Sequence, residues 1–517
     1  IDITVGWIYV IVLIALVGAA VFIYSNRHPN PPTELNSTPV PRAQPSLPLL
    51  GNALAYKDEP HRFLCDQAKK LGPVFTINLA GLETTILSSR DGMKQFSLAQ
   101  EEILSARAAV ADFGFRDTLG DLNVFSGTDF HRSVIKFNFS STDNMCEYGK
   151  NLFNLMRTYL RENINEHARV DDFMLFIRCC ILTVMTQAFI STSLVDLYYE
   201  LNGSNFAREF MEFQDEVENA TASAAVLPLW LAKPVCLWKV ASHRKVLVTK
   251  LASSIQKLWT AVDTGVMGKN EEGIWLRAMR SDGHSAEEAA ELCVGLLFAA
   301  HKNAAIAAFQ TILFILEHES TVSSSNDSWT SMVSTEAVNF LCRSEQWSHG
   351  ASSILDDLEA CEMITKMVIE TLRLTAHSIG AVRKVLSPNG WVLKSDGKSY
   401  VIPCGSYVGV SHIVPHLDSD RWGSSCAEFD PNRAGLRESV KDRLHFTTFS
   451  YGVHQCPGYN LALVATRLMV VAILAEYDIH VPSDKNIPPM CFKRATLAQR
   501  DGLCSVVFER RKESTLK

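Results

Sequence analysis

Between Ser285 and Glu317 the chain contains no proline and a single glycine, Gly295. At 1.5 Å per residue, some thirty residues of helix extend about 45 Å. Leu292, Val294, Leu296, Leu297, Phe298, Ile306, Phe309, Ile312, Leu313, Ile315 and Leu316 put apolar side chains on most faces of it. A helix apolar all round cannot lie on a surface, so this one must run through the interior of a large domain. Ser285 followed by Glu288 has the spacing of a capping box and fixes the start. Everything else in the chain has to wrap this rod, and 517 residues suffice for one large core.

Helical periodicity dominates from about Pro60 to Leu374, with a second helix expected over Ile354 to Leu374. The texture then changes. Ser387-Pro388-Asn389-Gly390, Asp396-Gly397 and Pro403-Cys404-Gly405 punctuate the short runs Trp391-Val392-Leu393 and Tyr400-Val401-Ile402, as in hairpins. The expected fold is mainly α with minor β-sheet, and residues 49–517 form one catalytic-sized domain. A hydrophobic share of 47% with 20% charged residues excludes a disordered chain. The net charge of −7 argues against a nucleic-acid binder. Thirteen cysteines without a CxxC pair argue against a disulfide framework or a zinc site. Cys179, Cys180, Cys293 and Cys342 read as inert thiols among apolar neighbours.

Val5 to Tyr24 is a run of twenty residues without a charge, long enough to span a bilayer core of about 30 Å. A cleaved signal peptide would have basic residues ahead of a shorter core. Here Asp2 precedes the run and Arg27 and His28 follow it. Residues 1–27 are therefore expected to be a single N-terminal transmembrane anchor, with the domain behind it facing the cytosol. Residues 28–48 hold Pro29, Pro31, Pro32, Pro39, Pro41, Pro45 and Pro48 and read as a semi-rigid hinge. Asn36-Ser37-Thr38 matches a glycosylation acceptor that would stay bare on the cytosolic side. Ala224 to Trp238 is strongly apolar but too short to span.

The most specific segment is Phe446 to Asn460, FTTFSYGVHQCPGYN, followed by an apolar helix over Leu461 to Tyr477. Its skeleton is Phe449-x-x-Gly452-x-His454-x-Cys456-x-Gly458. These residue types suit a thiolate ligand to iron. Backbone N–H groups in a glycine-bearing turn ahead of a helix stabilise the sulfur, and Phe449 can cover it. His454 can meet a carboxylate. The segment resembles the haem-binding loop of the cytochrome P-450 superfamily, the haem-thiolate monooxygenases, with His454 where the family usually has Arg. Glu370-Thr371-Leu372-Arg373 is similar to the family's Glu-x-x-Arg, and Phe429-Asp430-Pro431-Asn432-Arg433 to its Phe-x-Pro-x-Arg.

The resemblance implies the P-450 fold behind a single N-terminal transmembrane helix, haem b as cofactor, and Cys456 as the axial iron ligand. Phe449, Gly452, His454, Gly458 and Ala299 then belong to the haem pocket. Arg383, ten residues after Arg373, stands where relatives meet a haem propionate. Glu370, Arg373 and Arg433 form a structural pairing behind the haem loop. The family's Trp-x-x-x-Arg is not evident, so His131, Arg132 or Lys136 could reach a propionate instead.

Relatives carry a small-small-x-acid-Thr sequence on the central helix, whose acid and Thr handle water and protons. Here Ala299 and Ala300 occupy the small positions, Lys302 the acid position and Asn303 the Thr position. Ala300, Lys302 and Asn303 are the catalytic candidates; the other reading of Lys302 is that it turns away and pairs with an acid on a neighbouring helix. Asn at the Thr position resembles the sterol 7α-hydroxylase and prostacyclin synthase-like branch, which holds both monooxygenases and isomerases. The family implies an endoplasmic-reticulum membrane protein oxidising a lipophilic small molecule such as a terpenoid, sterol or polyketide. Its electrons would come from NADPH through NADPH-cytochrome P-450 reductase, with cytochrome b5 a second donor. The alternatives are an isomerase or dehydratase independent of NADPH, and a haem protein that only binds ligands. Phe113 to Phe125 and Ile379 are expected to line the substrate pocket. Arg132, Lys136, Lys441 and Arg443 are candidates for the reductase-facing patch.

Overall fold

The computed structural model describes residues 37–45, 47, 50–139, 141–224, 229–320, 328–344, 346–347 and 352–512. The expected transmembrane helix, the first part of the hinge and residues 225–228 of the apolar stretch lie outside them. The central helix runs Ala286–Glu319, 34 residues. It starts as its cap dictates: Ser285 Oγ accepts from Glu288 N, and the Glu288 carboxylate takes the Ser285 N–H at 2.8 Å. Helices Phe173–Met185, Trp238–Asp263 and Tyr459–Glu476 pack along it. The helical stretches Phe173–Ile190, Ala286–Glu319 and Tyr459–Glu476 are long and apolar enough to cross a membrane by length and composition. Their most apolar windows are 67–78% buried against protein, which makes these helices the hydrophobic interior.

The helix expected over Ile354 to Leu374 is two helices, Ile354–Ala360 and Glu362–Leu374. Cys361 breaks them with ψ of 70°. The Glu336 carboxylate then accepts from Met363 N (2.8 Å) and Ile364 N (3.0 Å), satisfying two donors that the new helix start leaves open. The turn signals read correctly. Trp391–Ser395 and Lys398–Ile402 pair antiparallel across Asp396 and Gly397, both at positive φ, in the pattern of a tight hairpin.

A five-stranded sheet has the order Val74–Leu79, Leu82–Leu87, Tyr407–Val410, Ala381–Val385, Leu104–Ser105. Its third strand is parallel to the second and antiparallel to the fourth. His167–Val170, Val506–Arg510 and Tyr477–His480 form a second sheet. Packing begins before residue 49: Thr38 bridges Tyr400 and Arg42 bridges Thr76. A proline lacks a donor but keeps its acceptor, and Thr76 N donates to Pro41 O at 2.8 Å. The later hinge residues thus dock on the sheet edge.

Candidate functional site

The thiol loop is built by backbone geometry. Cys456 N donates to Phe449 O at 2.9 Å, closing the loop into a tight arch. Gly452 sits at φ of 65°, and a Cβ there would lie 2.9 Å from Ser97 O, so only glycine fits. The arch ends at Gly458, the N-cap of helix Tyr459–Glu476, and a Cβ at Gly458 would meet no protein atom within 4 Å. Burial pushes the Cys456 thiol up, while the Gly458 N–H and the Arg443 charge act to lower it. Phe449 stacks edge-on against Tyr459 at 4.8 Å, and the Arg443 guanidinium lies over the same ring at 3.3 Å. Arg443 is therefore bound to the loop it flanks, whereas Lys136 and Lys441 are exposed and Arg132 is half-buried.

Behind the loop stands a triad with no solvent exposure at its centre. Arg373 Nε and Nη2 donate to the two Glu370 oxygens, each at 2.7 Å, and both side chains are 0% exposed. Arg433 joins at 3.3 Å. The remaining guanidinium donors go to backbone carbonyls: Arg373 to His416 O and Cys426 O, Arg433 to Trp422 O and Ser425 O. His416 carries the connection forward, its Nδ1 on Arg373 O at 3.0 Å and its Nε2 accepting from Thr447 N at 3.0 Å. Thr448 Oγ1 donates to Leu372 O at 3.1 Å. The triad thus fixes Thr447 and Thr448, the residues that lead into Phe449.

A cavity of about 260 Å³ opens beside the arch, with Phe96, Gly380, Arg383, His412, Ser450 and His454 in its lining. Arg383 is 1% exposed, spends Nη1 on Phe96 O (2.7 Å) and Ala99 O (3.2 Å), and leaves Nη2 without a partner. Burial lowers its pKa to about 10. His412, which sequence reasoning missed, also has an unpartnered nitrogen, Nδ1, and burial holds it neutral with a pKa of about 3. Two buried polar groups with spare hydrogen-bonding atoms, close to His454 in one cavity, suit a ligand bearing carboxylates. The thiol loop and these groups together fit haem. Spacing could not have found His412, because it follows an ordinary strand end.

On the central helix, Ala299 is exposed and Ala300 and Asn303 are partly exposed, while His301, Lys302 and the run from Ala304 are buried. Asn303 is i+4 to Ala299 and i+3 to Ala300, so each alanine is its neighbour on the helix surface and the three less buried residues lie together. Asn303 Oδ1 accepts from Leu497 N at 3.3 Å. Lys302 does not join them. Its Nζ donates to Asp215 Oδ1 at 2.9 Å and Glu218 Oε2 at 2.6 Å, both on helix Phe206–Ala224. Of the two readings of Lys302, the pairing with acids on a neighbouring helix is the one the contacts match: a cation in an apolar helix needs carboxylate partners, and helix Phe206–Ala224 supplies both. A lone lysine amid apolar residues was the only sequence signal for Asp215 and Glu218. His131 accepts from Trp275 Nε1 at 3.3 Å and is not in the cavity lining. Ile379 packs with the sheet cluster of Phe75, Ile77 and Ile86 rather than in the cavity.

Comparison with known proteins bears on the same residues. The family model described as Cytochrome P450 matches residues 41–505. Cytochrome P450 714C3 of Oryza sativa subsp. japonica is 27% identical over 205 residues, 38% of this chain and 36% of the relative. Cytochrome P450 734A1 of Arabidopsis thaliana is 27% identical over 158 residues, 27% of this chain and 29% of the relative. Cytochrome P450 monooxygenase flvC of Aspergillus flavus is 31% identical over 132 residues, 26% of this chain and 23% of the relative. The chain thus spans about a third or less of the length of these curated relatives. The family match covers the arch around Cys456, the Glu370–Arg373–Arg433 triad and the open face of the central helix alike, and the chain belongs to the cytochrome P450 family.

Proposed function

We propose that the chain is a haem-thiolate monooxygenase acting on a lipophilic small molecule such as a terpenoid, sterol or polyketide. The observation that carries this reading is the Cys456 arch, a half-buried thiol held by backbone at a helix N-terminus beside a cavity with unpartnered Arg383 and His412 atoms. Haem, when bound, supplies dioxygen activation with electrons from NADPH, passed on by a reductase flavoprotein with cytochrome b5 as a second donor. Cys456 would supply the thiolate that ligates its iron. Arg383 and His454 would hold its carboxylates, Gly458 would leave room for it, Gly452 lets the arch pack against Ser97, and Phe449 would shield the sulfur.

Ala299 and Ala300 keep the facing side of the central helix low, so that a substrate can approach. Asn303 has its oxygen committed to Leu497, and its amide N–H₂ group is the end left to hold a water or a substrate oxygen. A hydrogen-bonded proton source at that position is worth about 10²–10⁴-fold in rate. The chain is read as anchored in the endoplasmic-reticulum membrane, with the domain in the cytosol. The name of the Aspergillus flavus relative, a monooxygenase, is consistent with the reaction class.

A second reading has its own observation. With Lys302 turned away and Asn303 in place of Thr, the open face carries no acid, which suits an isomerase or dehydratase that needs no external electrons. One experiment separates the two: candidate lipophilic substrates incubated under isotopically labelled dioxygen, with and without NADPH and reductase. Label in the product supports the monooxygenase. Anaerobic, NADPH-independent conversion overturns it in favour of the second reading. Wild-type protein should also show the long-wavelength carbonyl band of thiolate haem, and Cys456→Ala should lose it.

A further inference from the structure

Three side chains on adjacent turns of helix Phe206–Ala224 reach the central helix at both ends of its open segment. Gln214 Nε2 donates to Phe298 O at 3.1 Å, at the front of the segment. Asp215 and Glu218 take Lys302 Nζ at 2.9 and 2.6 Å, at its back. Between those two anchor points lie Ala299 and Ala300, and next to the second lies Asn303. A third helix completes the assembly: Arg178, on Phe173–Met185, donates to both Asp215 oxygens at 3.1 Å and to Gln214 Oε1 at 3.4 Å. Two cations and two carboxylates balance, in a region where Lys302 is 3% exposed and Arg178 8%. Burial would raise the Asp215 carboxyl, but Arg178 and Lys302 outweigh it and keep it below its ordinary value. Buried charge that is paired this closely is costly to break from one side.

We infer that Lys302, Asp215 and Glu218 are positioning residues: a charge clamp that holds segment Phe298–Asn303 against helix Phe206–Ala224 and so sets the space over the reacting centre. The acid position of the central helix is thus used with reversed sign, its partner carboxylates being supplied by the neighbouring helix. The clamp's effect on ligands rests on the haem reading above; its mechanical part does not.

The test uses the full-length protein and two readouts. Hydrogen exchange is followed in 206–224 and 298–303, with 362–374 as internal control, in wild type, Lys302→Met, Glu218→Gln and the swapped pair Lys302→Glu with Glu218→Lys. The single variants should exchange at least about tenfold faster in both segments and not in the control. The swapped pair should recover most of that protection. In the haem-loaded protein, 4-phenylimidazole should bind roughly tenfold more weakly to the single variants, while free imidazole, which needs less room, should be nearly unaffected. Unchanged exchange in both single variants overturns the clamp, as does a swapped pair no better protected than they are. If a single variant fails to fold, Asp215→Asn and the swapped pair decide in its place. Should wild type lack the thiolate carbonyl band, the haem reading falls, while the exchange result still judges the clamp.

Discussion

Two of the buried charge clusters among the described residues are built differently. In the Glu370–Arg373–Arg433 cluster the central pair is 0% exposed, and the guanidinium nitrogens of both arginines end on a carboxylate, a carbonyl or a hydroxyl. In the Arg178–Asp215–Lys302–Glu218 cluster the acids are 38% and 19% exposed, and Arg178 Nε has no partner. The first is sealed by backbone from several loops. The second is side chain against side chain between three helices. A network whose members are all satisfied rigidifies its surroundings more than one with an open valence. The sealed cluster stands behind the thiol loop, which must not move. The open one ties the central helix, next to its exposed Ala299, to helix Phe206–Ala224.

Removing one partner from each cluster is the strongest way to break the contrast. Glu370→Gln leaves two arginines buried against one neutral amide and should cost about 3–5 kcal/mol, seen as a lower urea midpoint and poor haem incorporation. Arg178→Met removes a cation whose acid partner is partly solvated, so the loss should be smaller, about 2 kcal/mol after allowing for screening. If the two losses are equal, the distinction fails.

A pH measurement sharpens the same comparison. His301 is fully buried next to Lys302, its Nε2 has no partner, and burial lowers its pKa to about 3 from an ordinary 6.5. The native ring stays neutral below pH 6.5 while the unfolded ring takes a proton. Stability is therefore whole above about 6.5 and falls as pH drops toward about 3. At pH 5 the loss from this residue should be about 2 kcal/mol. Urea midpoints at pH 7 and pH 5 should diverge less in His301→Gln. The smallest effect should come from the surface pair Arg90–Asp442, whose side chains are 55% and 45% exposed. Arg90→Ala should cost about 0.5 kcal/mol, and less in high salt.

How far the sequence reveals this depends on whether neighbours in space are neighbours in the chain. The capping box at Ser285, the hairpin around Asp396-Gly397 and the Glu370–Arg373 pair were legible because their partners lie within a few residues. The thiol loop was legible because several spaced residue types share one purpose. Cys361 breaking a helix was not, since the carboxylate that rewards the break comes from Glu336. Nor was the direction of Lys302: its acids are 87 and 84 residues away, on a helix whose other acids look the same. His412 was missed because its significance comes from what it lacks, a partner for one nitrogen.

The bond from Leu497 N to Asn303 Oδ1 joins positions 194 residues apart, and it is reinforced close by, where Gln310 donates to Ala498 O and Arg500 to Gln310. During synthesis the ribosome delivers the central helix long before the loop that steadies Asn303. A nascent chain can wrap the rod, yet the Asn303 side chain lacks this partner until position 497 has emerged. The orientation of Asn303 is thus tied to completion of the domain, and a stalled product lacking that loop would leave the Asn303 carbonyl without its backbone donor.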